Sequence, residues 1–99
     1  MRVIDLLALL SDQNKNAPVM IRSAGSIVNI DAFVTAEVQE QPRLILTTLP
    51  EKRRTLRLWE LRLLLNQPQL RTMYVYVQTP DEAQAIFGFV QQGQKLVLG

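Results

Sequence analysis

Arg53, Arg54 and Arg57 are the residues whose type and spacing most invite chemistry. Guanidinium groups fork onto phosphate or carboxylate oxygens, so three on one face would hold a nucleic-acid backbone or an acidic peptide. If residues 50–66 form one helix, their spacing of i, i+1 and i+4 puts them on a shared face with Lys52 beside them. The plainer alternative is a solvated face on which Arg57 pairs with Glu60 at i+3. Charge is concentrated in the same region: residues 43–71 carry seven basic against two acidic residues, whereas both flanks are acidic. The whole chain carries only +2, far from a strongly basic domain.

Tyr74 and Tyr76 are the second feature. Strand periodicity places both on one sheet face, opposite Met73, Val75 and Val77. If helices cover the Val75 face, the two tyrosines point to the other side, joined by Phe33 from an earlier strand. An aromatic row on an open sheet stacks bases or buries itself against a second subunit. It serves equally as a cross-strand cluster partly covered by Lys and Arg stems.

Trp59 and Leu63 belong to a segment in which Leu56, Leu58, Leu61, Leu64 and Leu65 make almost every side apolar. Large aromatics on such helices ordinarily enter the core. The alternative is an interface anchor, because a small chain has few neighbours with which to cover so apolar a helix. Phe33, Trp59 and Leu63 are therefore the self-association candidates, with a homodimer as the expected assembly.

Catalytic chemistry is thinly represented. The 99 residues include no His and no Cys, which removes the commonest general base, thiol nucleophiles, zinc ribbons and disulfides. Asp81 and Glu82 are the adjacent carboxylates, yet as a metal or acid-base pair they lack visible partners. Their position suits the positive end of a helix instead. The four glycines are too dispersed for a phosphate-binding loop. A non-enzyme without cofactor or metal is the expectation.

The elements that must position these residues follow from periodicity. Val3, Ile4, Leu6, Leu7, Leu9 and Leu10 predict a helix over 3–12. Val19–Ile21 predicts a strand, Ala24-Gly25-Ser26 a turn, and the alternation from Ile30 to Val38 a long strand burying Ile30, Ala32, Val34, Ala36 and Val38. A hairpin at 39–42 leads to a strand over 43–47. Thr48 with Glu51 forms a capping-box pattern, predicting a second helix from 49 or 50 to about 66, with a later start at Thr55 as the alternative. Met73–Val77 predicts a strand. Thr79, Pro80, Asp81 and Glu82 then read as a helix start, Ala83, Ile86, Phe87 and Val90 as its apolar face, and Gly93 as its left-handed cap. Gly88 lies inside that helix, where it suggests a close backbone approach. A final strand over 95–98 completes a βαβ unit.

Shifting the chain by 55 positions sets Arg2, Leu6, Leu9 and Leu10 on Arg57, Leu61, Leu64 and Leu65, and Asp5 on Glu60. The match suggests a duplication only weakly, because Leu is common and the segments after each first strand differ in pattern.

With 47% apolar and 20% charged residues, the composition is that of one soluble domain with a single core. Residues 1–99 are expected to form one α+β domain: a two-layer sandwich in the order α-β-β-β-α-β-α-β, with a mixed five-stranded sheet and helices mainly on one face. No apolar run is long enough to span a membrane, and Asp5 interrupts a would-be signal segment, so a cytoplasmic location is expected. The leading functional expectation is a self-associating, non-enzymatic interaction or regulatory module. The other is RNA or single-stranded DNA binding through Arg53, Arg54, Arg57, Tyr74 and Tyr76.

Overall fold

A computed structural model describes residues 1–49 and 54–99. Its elements are α1 (Val3–Leu9), β1 (Val19–Ser23), β2 (Ser26–Val38), β3 (Gln41–Leu49), α2 (Leu58–Leu65), a 3-10 turn at Pro68–Leu70, β4 (Tyr74–Val77), β5 (Gln84–Ala85), β6 (Phe89–Gln92) and β7 (Lys95–Leu98). The class is α+β, as expected, but the sheet is seven-stranded in the order β5-β4-β3-β2-β1-β7-β6. No helix among the described residues is long and apolar enough to cross a membrane.

The sheet curls until its two edges meet. β5 and β6 occupy opposite edges, yet only Ile86, Phe87 and Gly88 separate them in the chain. These linking residues extend the pairing on both sides: Ile86 N–H donates to Val75 O at 2.9 Å, and Gly99 N–H donates to Gly88 O at 3.0 Å. The result is a closed barrel, in which edge N–H and C=O groups find partners around the ring. Val19, Ile21, Leu44, Leu46, Val75, Val77, Leu96 and Leu98 fill its interior. Val3, Leu6 and Leu10 from α1, and Leu58, Leu61 and Leu65 from α2, join the same core. Arg62 on α2 reaches the Leu10 carbonyl beyond α1 at 2.8 Å, so the helices lie close together.

The expected third helix is absent, and with it the C-terminal βαβ unit and the five-stranded count. Thr79 Oγ1 does accept from Glu82 N–H at 3.1 Å, as in a helix cap, but the chain then enters β5. The i, i+3, i+4 pattern of Ala83, Ile86 and Phe87 also fits a bent strand in which Ile86 alone is fully buried and Phe87 is exposed. Closing the two open edges of β4 and β7 outweighs local helix propensity. Gly93 has the expected positive φ, +62°, but uses it in the β6–β7 hairpin. Nor do the helices cover one face of an open sheet, because the inner face is the barrel interior.

The second half of the chain retraces the first. Val3 N–H donates to Met73 O and Leu58 N–H to Ala17 O, both at 2.9 Å; Ile4 bonds to Arg71 O as Trp59 bonds to Lys15 O. Val75 N–H donates to Met1 O as Val19 N–H donates to Leu56 O. β3 runs parallel to β4 with Leu44 opposite Val75, and β7 runs parallel to β1 with Leu96 opposite Val19. β2 corresponds to β5 and β6 together, its irregularity between Ile30 and Phe33 falling where β5 gives way to β6. The weak repeat in the sequence is therefore a real structural repeat. It is obscured because one half uses a 13-residue bulged strand where the other uses two short strands. Each helix docks onto the first strand of the opposite half, so the halves interlock around a shared core.

Candidate functional site

The barrel exterior sorts the expected site residues into separate regions. Tyr74 and Tyr76 are half-buried on the outer side of β4, alternating with the buried Val75 and Val77. The Arg2 guanidinium stacks 5.3 Å from the Tyr74 ring centre and that of Arg43 4.2 Å from the Tyr76 ring centre. Tyr76 Oη donates to Gln41 Oε1 at 2.9 Å, while Arg43 Nε donates to the same oxygen at 2.7 Å. Arg43 and Tyr74 are paired across β3 and β4, so arginines and tyrosines interleave on one face. This is the arrangement in which arginine stems cover the aromatics.

Arg54 and Arg57 lie elsewhere. α2 begins at Leu58, so neither is on a helix face; β3 runs on to Leu49, which overrides the Thr48 capping pattern. Arg53, with Lys52 and Glu51, lies outside the described residues. Arg57 is the residue preceding α2, and its backbone N–H donates to Glu60 Oε1 at 3.1 Å. The Arg54 guanidinium pairs with the other Glu60 oxygen. The local capping of α2 is thus Arg57 with Glu60, as that of α1 is Arg2 with Asp5. Arg57 bridges to Pro18 beside β1 and Arg2 to Tyr74 on β4, and β1 and β4 are separated in the sheet by β2 and β3. Among the described residues, Arg54 and Arg57 are therefore not brought together with the tyrosines. Arg2 and Arg43, which spacing along the chain does not single out, are the tyrosines' cationic partners; only the pairing register across β3 and β4 reveals Arg43.

Phe33 does not join the tyrosines. The bulge after Ile30 inverts the alternation of β2, so Phe33 stands opposite the buried Leu46 and packs against the core, while Val34 is turned outward. Ala32, Ala36 and Val38, expected to be buried, are exposed for the same reason.

Trp59 is not in the core: it is 43% exposed, and Leu63, one turn further along α2, is 70% exposed. Leu58, Leu61 and Leu65 supply the buried face of this helix. Trp59 and Leu63 border a shallow trough of about 420 Å³ with Leu56, Leu64, Asp31 and Gln67. Asp81 and Glu82 sit in the exposed turn before β5 and are not part of a group of three or more metal-ligating side chains among the described residues. Compared with protein-family models, with curated proteins and with solved structures, the chain finds no match.

Proposed function

We propose that this chain is a non-enzymatic interaction module that self-associates through the outward side of α2. The observation that carries the reading is the pair Trp59 and Leu63, adjacent at i, i+4 and both substantially exposed beside a trough floored by Leu56 and Leu64 and edged by Asp31, Glu60 and Gln67. A second copy covering this face would desolvate an aromatic anchor and a leucine at its centre, the composition of an interface hot spot. The test is light scattering coupled to size exclusion at high micromolar concentration. The natural chain is expected to run as a dimer and Leu63→Glu as a folded monomer, since a residue so exposed contributes little to the core. The only Trp in the sequence gives a second readout: its emission is expected to shift to the blue on concentration as Trp59 leaves water. A chain that stays monomeric throughout overturns the reading.

A second reading, binding of RNA or single-stranded DNA, draws on the Arg2–Tyr74 and Arg43–Tyr76 stacks. Guanidinium groups beside aromatic faces can neutralise phosphates and stack bases together. Binding to a mixed oligonucleotide pool is expected to fall steeply with salt, and the double variant Arg2→Ala/Arg43→Ala to lower the slope by roughly one unit for each phosphate that is no longer neutralised. Absence of binding at low salt removes this reading.

A further inference from the structure

The two halves of the barrel differ at one pair of equivalent places, and the difference opens a cleft. In the second half, Tyr74 fills the position beside the helix-capping residue Arg2, which stacks on its ring. In the first half, the residue facing the capping Arg57 is Pro18. The compact pyrrolidine of Pro18 takes the place of an aromatic ring there, and the Arg57 guanidinium turns to the Asn16 carbonyl at 2.9 Å. The hairpins differ as well. The β2–β3 hairpin continues beyond Ala36 and Arg43 to pair Glu37 with Pro42 and Val38 with Gln41, whereas the β6–β7 hairpin ends at the Gln92–Lys95 pair. A shorter hairpin and a smaller side chain leave a cleft of about 600 Å³ at Arg57; its counterpart beside Met73 and Thr35 measures about 330 Å³.

The lining of the larger cleft has a consistent chemistry. Gln13, Asn14, Asn16, Gln91 and Gln94 contribute side-chain amides, Arg57 contributes the charge, and among the described residues no carboxylate lines it. The smaller cleft carries Glu37. Primary amides donate and accept, which matches hydroxyl groups, and a guanidinium matches a phosphate or carboxylate in a two-pronged fashion. Glu60, the acidic neighbour of Arg57, is already bonded to the Arg57 backbone N–H and to Arg54, so it leaves the guanidinium to face the cleft. Buried Ala17 and Leu96 form an apolar border. The size lies within the range of small-molecule sites.

We infer that this cleft binds a small polyhydroxylated anion, a sugar phosphate or a sugar carboxylate, with Arg57 on the anionic group and the amides on the hydroxyls. The site is independent of the self-association proposed for Trp59 and Leu63.

Amide-detected NMR titration of the intact chain with glucose 6-phosphate, glucuronate, glucose and inorganic phosphate tests it. Expected are saturable shifts in the side-chain amides of Gln13, Asn14, Asn16, Gln91 and Gln94 with at least one anionic sugar; whichever saturates identifies the anion. Glucose and phosphate alone should bind at least about tenfold more weakly than that sugar. Arg57→Gln, which keeps the backbone N–H that caps α2, should reduce the anionic sugar to the affinity of glucose. Pro18→Tyr, which places in the first half the residue the second half already accommodates, should abolish binding while leaving a folded spectrum. No saturation by either anionic sugar up to about 20 mM, or unchanged binding in either variant, overturns the inference.

Discussion

Ile86→Ala is expected to destabilise the chain by about 2–5 kcal/mol, and Ile30→Ala by a similar amount, as read from urea unfolding. Both side chains are buried, at 0% and 1% exposure. By sequence pattern the two residues have little in common: Ile30 begins a long alternating strand, whereas Ile86 falls in a segment patterned as a helix. In the fold they are equivalents, each lying where the strand bends and turning its side chain into the barrel. Ile86 also sits in the three-residue link that joins the sheet edges, with its N–H on Val75 O. Truncation leaves a cavity whose walls are held by strands on both sides and cannot readily collapse. Phe87→Ala, one residue away, is the control: that ring is 76% exposed, and its loss should change stability by no more than about 0.5 kcal/mol. A cost below about 1 kcal/mol for Ile86→Ala would show that the barrel is not closed at this point.

Thr55→Val is expected to cost about 1–3 kcal/mol, and Asn29→Ala in that background to recover most of the loss. Asn29 is 2% exposed, and its Oδ1 accepts from Thr55 Oγ1 at 2.8 Å. Removing only the hydroxyl leaves the carbonyl of a buried side chain without its partner, and that desolvation is the larger effect; removing both groups takes the unpaired polar atom away. The second half supplies the precedent, since Ala85 pairs with Tyr76 as Asn29 pairs with Met20. A double-mutant cycle by urea unfolding gives the coupling directly, and additive single-variant effects would contradict it.

Local signals in the sequence were legible wherever their residues are used locally. The alternation of Tyr74–Val77 occurs where the pattern places it; the first helix, expected over 3–12, ends at Leu9, and the turns expected at 24–26 and 39–42 are confined to Ala24-Gly25 and Gln39-Glu40, because Ser26 and Gln41 already pair in strands. The apolar surplus of the second helix does leave Trp59 and Leu63 in solvent. Three misreadings share one origin, in that each element's conformation is fixed by a partner distant in the chain. The Thr79–Glu82 cap is satisfied without a helix because β4 and β7 need edge partners. The alternation of β2 reverses at a bulge, so Phe33 turns inward. The second helix starts at Leu58 because β3 continues to Leu49 as the neighbour of both β2 and β4. Arg54 and Arg57 consequently bracket Glu60 and lie outside the helix.

Composition and the spacing of neighbouring residues suffice for the α+β class, for a chain rich enough in apolar residues to form a core, and for the apolar faces that each helix must bury. They do not suffice for the closure of the sheet, for the equivalence of the two halves, or for the contrast between Arg57 at an open cleft and Arg2 on a tyrosine. Those outcomes depend on which strand edges meet and on what faces each side chain from the other half of the molecule. Pairing of that kind is set by long-range hydrogen bonding and packing, which override local preference where the two disagree.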